Sequence, residues 1–332
     1  MASVDTRFGG IVPVLAAAVL WGTVGPAQLV ADADVSLVSL GACRMLLGGA
    51  VLGLFTVRAA GLRTLWRPAT RWWMLAGILV TAVFQACFLE AVDRTGAALA
   101  TAVTFGTVPV ITGLYARWLE GERARVVWWC GTACSLVGMG LLLVPGAAAR
   151  VDVVGVLLGI ASGSSFGTYI ATTKQLARCG ADTAAAAPMS VLCAGVLLSP
   201  WLIAVPDGLA APRALLLTGW LALGTTALGY LLFARGVTRI SAATAGTLSL
   251  GEPLVATVLG VVLLGERPGA VAACGAVLLL GGLAVVSLPS RVRPAPDGVE
   301  PAVAAVGEGT AEQPLSRGGA PEAGPGRARS RP

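Results

Sequence analysis

The chain has 332 residues, of which 56% are hydrophobic and 12% charged, with a mean hydropathy of +0.82 and a net charge of +6. A water-soluble domain carries about a quarter charged residues, so lipid is the expected solvent for most of this surface. The basic residues are spread over short connections and the C-terminal tail rather than one patch, which argues against nucleic acid as a partner. The lack of histidine removes His-based triads, His-ligated metals and imidazole proton relays together.

A bilayer span needs roughly 20 apolar residues. Ten runs meet that length in chain order: 10–31, 35–57, 72–92, 95–116, 126–146, 153–173, 183–205, 214–235, 240–264 and 269–288. They are continuous rather than alternating, which predicts helices and not barrel strands. The first is uninterrupted from Phe8 to Ala31, longer than a signal core, and nine more follow. The seven cysteines sit mostly inside these runs, and Cys130 and Cys134 have no second pair at zinc-like spacing, so they read as small packing residues. After about residue 290, Pro, Gly, Ala, Arg and Glu dominate without apolar periodicity, which predicts a disordered tail over 289–332.

Loop charge sets an orientation. With the N-terminus in the cytoplasm, 14 Lys and Arg residues fall on the inner side, among them Arg58, Arg117, Lys174, Arg178 and Arg235, and four fall outside, Arg94, Arg150, Arg213 and Arg267. That bias predicts cytoplasmic N- and C-termini. Six of the nine tryptophans, including Trp66, Trp72 and Trp118, gather near the first two inner loops as an interfacial belt would.

The two halves resemble each other. Leu119-Glu120-Gly121-Glu122-Arg123 and Leu263-Leu264-Gly265-Glu266-Arg267 are 144 positions apart, and the same offset aligns Pro109 with Pro253, Cys130 with Cys274, Gly131 with Gly275 and Gly138 with Gly282. A five-helix unit has an odd number of crossings, so its second copy enters from the opposite side. The expected fold is an all-α membrane protein of ten helices in two inverted five-helix repeats, 8–146 and 152–288. Such duplication is the pattern of secondary transporters, whose solute site lies between the repeats.

Within that frame the ionisable residues inside spans carry most information. Glu252 lies midway along the ninth run, where a charge costs about 2.5–3.5 kcal/mol on insertion scales. It is expected to face a cavity, pair with a base or take up a proton. Pro253 follows it, and a proline frees the carbonyl four residues back, on Ser249, and kinks the helix; Pro109 is the matching kink in the first half. Arg44 lies about nine residues into the second run and needs an anion or several acceptors. An Arg44–Glu252 ion pair is one expectation from their similar depth, and an Arg44 site for a substrate carboxylate is another. Gln85, Tyr169, Tyr230 and Ser249 can hydrogen-bond a solute or a neighbouring helix, and Trp21 offers a face for stacking or for a cation. Glu90 reads as interfacial beside Asp93 and Arg94. Lys174 is expected to snorkel to the headgroups. Glu122-Arg123 and Glu266-Arg267 read as terminal charge pairs that set helix depth.

Four segments carry a family likeness: Ala17-Ala18-Val19-Leu20-Trp21-Gly22-Thr23, Cys43-Arg44-Met45-Leu46-Leu47, Thr107-Val108-Pro109-Val110 leading to Gly121-Glu122-Arg123, and Gly251-Glu252-Pro253-Leu254-Val255-Ala256 leading to Leu263-Leu264-Gly265-Glu266-Arg267. Over residues 8–288 the chain resembles the EamA-type transporters of the drug/metabolite transporter superfamily. The resemblance implies a basket of helices around a central cavity that moves small organic solutes or metabolites, often outward and driven by protons or another gradient. The chain departs from the pattern where Val108 replaces an acid in the first copy, where Phe166-Gly167-Thr168 stands for Trp-Gly in the second half, and where Arg44 has no basic counterpart near Pro188. The site is therefore expected to be asymmetric.

The leading expectation is a secondary active exporter of a small organic solute in the cell membrane, with the lipid bilayer and protons as partners and no cofactor or metal. A membrane-embedded enzyme is the second class, but no HExxH, phosphate loop or nucleotide-binding domain supports it. A non-transporting sensor is the third; costly intramembrane Glu252 and Arg44 count against it.

Overall fold

The structure is a computed structural model that describes residues 2–121, 125–143, 152–204 and 208–288, with side chains from Phe8. The tail over 289–332 and the Glu122-Arg123 pair lie outside the described residues. Among the described residues, ten helices are long and apolar enough to cross a membrane: span 1 (Phe8–Ala31), span 2 (Leu37–Thr56), span 3 (Arg71–Thr95), span 4 (Ala97–Leu119), span 5 (Val126–Leu143), span 6 (Val153–Arg178), span 7 (Thr183–Ala204), span 8 (Pro212–Val237), span 9 (Ala242–Leu264) and span 10 (Ala270–Ser287). Each coincides with one of the ten predicted runs. The ends follow local chemistry: Asp152 caps span 6 through the Gly155 N–H, Ser241 caps span 9 through Thr244, and Gly265 closes span 9 in the left-handed conformation. A short helix between spans 2 and 3, Ala59–Leu65, was not foreseen. It is below the length of a span, and no hydropathy window would find it.

The packing pairs show the inversion. The principal contacts join spans 3 and 6, 1 and 8, 4 and 6, 1 and 9, 2 and 8, 3 and 7, 2 and 7, 4 and 9, and 5 and 10. Exchanging each span of the first half with its counterpart five further on turns this set into itself. Spans 5 and 10 are such counterparts, and they run antiparallel. A Cβ placed on Gly131 would meet the Gly282 carbonyl, and one on Gly275 would meet the Gly138 carbonyl at 2.6 Å. The glycines that match at constant offset in sequence therefore touch crosswise in space, as an inverted repeat demands. Small residues let membrane helices approach this closely, where packing rather than water drives association.

A direct consequence is testable. A Cβ on Gly138 would overlap the Leu279 backbone nitrogen, whereas Gly140, one turn side away, has nothing near it. Gly138→Ala should destabilise the folded protein by about 1–3 kcal/mol, and Gly140→Ala should leave it unchanged. Thermal denaturation followed by fluorescence size exclusion in detergent would show the difference; equal stability of the two variants would refute the close crossing.

Three spans depart from a continuous α-helix, all near the centre of the bundle. Span 1, expected to be unbroken, is interrupted at Thr23, whose hydroxyl bonds the Leu20 carbonyl at 2.6 Å and receives the Trp220 indole N–H at 3.0 Å. Span 8 contains a π-helical segment, Leu221–Leu228. Span 9 breaks between Leu248 and Gly251, just ahead of Glu252-Pro253. Pro109, by contrast, sits inside a helix that runs without interruption from Ala97 to Leu119. Breaks of this kind survive in a membrane only where other protein groups take up the released backbone polar atoms.

Candidate functional site

The three breaks surround a cavity of about 370 Å³ between the two halves. Its mouth lies at the face carrying the connections between spans 1 and 2, 3 and 4, and 9 and 10, and is lined there by Gln28, Leu29, Val92, Ala97, Leu264 and Glu266. Its wall holds Trp21, Arg44, Gln85, Glu252 and Pro253. A smaller extension of about 60 Å³ reaches deeper among Trp21, Phe84, Phe88, Phe105, Phe166 and Tyr230, still touching Arg44, Gln85 and Glu252.

Glu252 reaches the cavity because the helix is broken before it. The Ser249 carbonyl, which Pro253 cannot bond, was expected to be left free. It is not: the Glu252 N–H turns back to it at 3.2 Å. That tighter i to i−3 bond satisfies the carbonyl and sets the angle at which span 9 resumes. Glu252 itself lies in the first turn of the resumed helix, where the exposed N–H groups and helix dipole favour a negative charge. Among the described residues its carboxylate has no hydrogen bond and no ion pair, and it lines the cavity. Gly22 explains part of the Trp-Gly motif, since a Cβ there would meet the Glu252 carbonyl at 2.8 Å and the Val255 side chain. Span 1 can lie against the broken turn only with glycine at that place.

Arg44 faces the same cavity from span 2. One nitrogen, Nη2, donates to Gln85 Oε1 at 2.8 Å, and Nη1 lies 3.5 Å from Thr225 Oγ1. It makes no direct ion pair with Glu252, contrary to that expectation. Gln85, almost fully buried on span 3, holds the guanidinium to its own wall, and the carboxylate and guanidinium line the same cavity without direct contact. Two opposite charges kept apart in a low-dielectric cavity form a receptor for a molecule that bears complementary charges.

The π-segment supplies a contact that no sequence signal indicated. The Gly229 N–H bonds the Gly224 and Thr226 carbonyls and passes over Thr225. The Thr225 carbonyl instead accepts the Trp21 indole N–H at 2.9 Å. Wide helical turns of this type are frequent at functional sites. Here one residue, Thr225, orients Trp21 through its carbonyl and lies against Arg44 through its hydroxyl.

An aromatic floor closes the cavity. Trp21 packs edge-on against Phe166 and Tyr230 at 5.8 and 5.5 Å, and lies tilted against Phe233 at 5.1 Å. Tyr169 sits beneath, 5.8 Å from Tyr230. The structure thus brings Glu252, Arg44, Gln85, Trp21, Tyr230 and Pro253 to one site. It does not bring Ser249 or Tyr169 to the cavity wall. Ser249 turns its hydroxyl to the Ala245 carbonyl at 3.1 Å, because a serine in a membrane helix finds its nearest acceptor one turn back. Tyr169 belongs to the layer behind the floor. Pro109 lies in span 4 away from the cavity lining. Phe84 and Phe88 were missed; their position one turn apart, flanking Gln85, is the signal that would have found them.

Glu90 pairs with Arg94 at 2.7 Å near the mouth face, and Arg94 lies 3.8 Å from Asp152. Among the described residues no group of three or more Cys, Asp or Glu could hold a metal ion.

Residues 8–144 and 153–288 each match the EamA-like transporter family. The chain belongs to the EamA-like transporter family. Similar proteins include YwfM of Bacillus subtilis, described as an uncharacterized transporter, 33% identical over 286 residues that span 84% of this chain and 93% of that one. The uncharacterized protein PA1977 of Pseudomonas aeruginosa is 32% identical over 70% of this chain and 78% of its own length. A solved crystal structure superposes with a TM-score of 0.72 at 25% identity, covering 84% of this chain and 96% of that chain. The two matches of one family account for the duplication. The protein is a membrane transporter, and the cavity described above lies between the two EamA-like repeats.

Proposed function

We propose that this EamA-like protein is a secondary active transporter that exports a small organic solute at the expense of the proton gradient. One observation supports this above the others: Glu252, whose carboxylate makes no hydrogen bond or ion pair with another described residue, lines the same cavity as Arg44 midway along its span. Such a carboxylate can be neutralised by a proton or by a cationic group of the solute. If the two compete, the exit of one is tied to the entry of the other, which is the minimal requirement for coupling. Arg44, always charged, would hold an anionic or polar group of the solute, with Gln85 and Thr225 keeping it in place. The aromatic floor favours a solute with an apolar portion.

Positive charge on the connecting loops favours cytoplasmic termini. In that orientation the cavity opens outward and the aromatic floor separates it from the cytoplasm. Everted membrane vesicles test the reading. Accumulation of a solute that collapses when the imposed pH gradient is dissipated is the expected result; a broad panel of amino compounds and organic ions showing no gradient-dependent movement would overturn it.

A further inference from the structure

The basic residues of this chain are 22 arginines and one lysine. The lysine, Lys174, lies near the end of span 6 on the face opposite the cavity mouth. It does not snorkel outward. Its Nζ is 2.9 Å from Glu120 Oε1, and the two side chains are only 11% and 4% exposed. The same ammonium donates to the carbonyls of Val237, at 3.4 Å, and Ile240, at the end of span 8. Glu120, just past span 4, accepts the N–H of Ala242, the first residue of span 9, at 3.0 Å through Oε2. Arg178 supports the pair from the outside at 3.6 Å and donates to the Leu119 carbonyl at 2.7 Å.

Two side chains therefore tie together the ends of four spans. The chemistry suits them. A lysine at a helix C-terminus serves carbonyls that have no partner in their own helix, and a carboxylate at a helix N-terminus serves the free N–H groups. An ammonium can donate to two carbonyls and still lie against a carboxylate, whereas a guanidinium fork is planar. In a chain that otherwise uses arginine throughout, the one lysine stands where that geometry is needed.

We propose that the Lys174–Glu120 pair is the gate that keeps this face shut while the cavity is open to the other, and that solute passage requires the pair to part. Position supports this. Lys174 is eight residues beyond Phe166 along span 6, and Val237 is seven beyond Tyr230 along span 8, so the pair lies roughly 10–12 Å past the aromatic floor. Glu120 belongs to the first half, and its partners all belong to the second. Spans 8 and 9, which it joins to span 4, carry the π-segment and the break before Glu252, the places where the backbone already departs from a rigid helix. A buried charge pair is also suited to switching. Its alternative is not an unpaired charge in hydrocarbon but two hydrated ions in an open vestibule, and a recess of about 240 Å³ lined by Lys174, Arg178 and Thr238 already approaches it from the surface.

The inference rests on the transporter reading above, but its test needs no solute. As the sole lysine, Lys174 can be followed by a water-soluble amine-reactive ester on the full-length protein in lipid nanodiscs, with its peptide quantified by mass spectrometry and the N-terminal amine as internal control. The state of the mouth is followed by maleimide modification of Thr101→Cys, which lines the cavity. Glu120→Gln is expected to raise the labelling rate of Lys174 by about tenfold or more and to lower that of the mouth cysteine several-fold, because freeing one face shifts the population toward closure of the other. Glu120→Asp is expected to restore both toward the original rates. Faster lysine labelling with an unchanged mouth cysteine would overturn the gate and leave a local structural pair. If Glu120→Gln fails to fold, the parent protein decides: with each rate divided by that of a free amine or thiol at the same temperature, the two labels must vary inversely across temperature, and rising together would overturn the gate. Absence of gradient-driven flux with both labels responding as expected would instead count against the coupling reading and leave the gate standing.

Discussion

Glu252→Gln is expected to abolish gradient-driven transport, bringing flux to the background of empty vesicles while expression and monodispersity remain. Glutamine nearly matches the carboxyl in size and can still hydrogen-bond, so the cavity should keep its shape. What it loses is the ability to gain and release a charge. The carboxylate makes no hydrogen bond or ion pair with another described residue, so no partner is orphaned by the change and stability should shift by well under about 1 kcal/mol. That separation is the diagnostic. A structural acid would lose stability and keep some function, whereas a coupling acid loses function alone. Counterflow, in which labelled solute exchanges across the membrane without net proton movement, should be preserved better than net flux. Undiminished net flux in the glutamine variant would remove Glu252 from the coupling mechanism and with it the central support for the proposed function.

Arg44 gives the second large effect, of a different kind. Arg44→Leu removes a permanent charge and leaves Gln85 Oε1, now bonded at 2.8 Å, without its donor. Losing a charge-assisted hydrogen bond to a solute costs about 1.5–3 kcal/mol, so the apparent affinity for solute should fall by roughly 10- to 100-fold. Some loss of stability accompanies it, because a buried acceptor is left unpaired. Arg44→Lys keeps the charge but replaces the planar two-nitrogen fork by a single nitrogen, and it should recover only part of the affinity. The double variant Arg44→Leu, Glu252→Gln tells whether one solute bridges the two. If it does, the combined loss of binding is smaller than the sum of the single losses. Strict additivity would show that the two charges act on separate molecules, and an unchanged affinity in Arg44→Leu would place the solute elsewhere.

The spans were legible because a bilayer demands length and low charge, and ten stretches supply both. The repeats were legible because Glu-Arg, Pro and Gly recur at one offset. Glu252 and Arg44 stood out since an ionisable group at that depth needs a reason. The backbone was less legible. Pro253 marks a break in span 9, and Pro109, at the matching place in the first half, produces none. The same residue has different outcomes because Val108 packs into a closed interface, while Glu252 opens onto a cavity. The π-segment at Leu221–Leu228 leaves no trace in composition, since a one-residue change in hydrogen-bond register alters no side chain. Lys174 looked like a snorkelling residue near a membrane face, because the ion that would bury it, Glu120, is 54 positions away along the chain.

By itself the sequence determined the solvent, the number of crossings, the antiparallel duplication and the two charges inside the membrane. These depend on transfer free energy and on parity, which are properties of each segment alone. Tertiary structure decided that Arg44 turns to Gln85 rather than to Glu252, that Thr225 orients Trp21, and that Lys174 meets Glu120 where four spans end. Those outcomes depend on which groups compete for a donor or an acceptor within about 3 Å, and only the folded arrangement brings the competitors together.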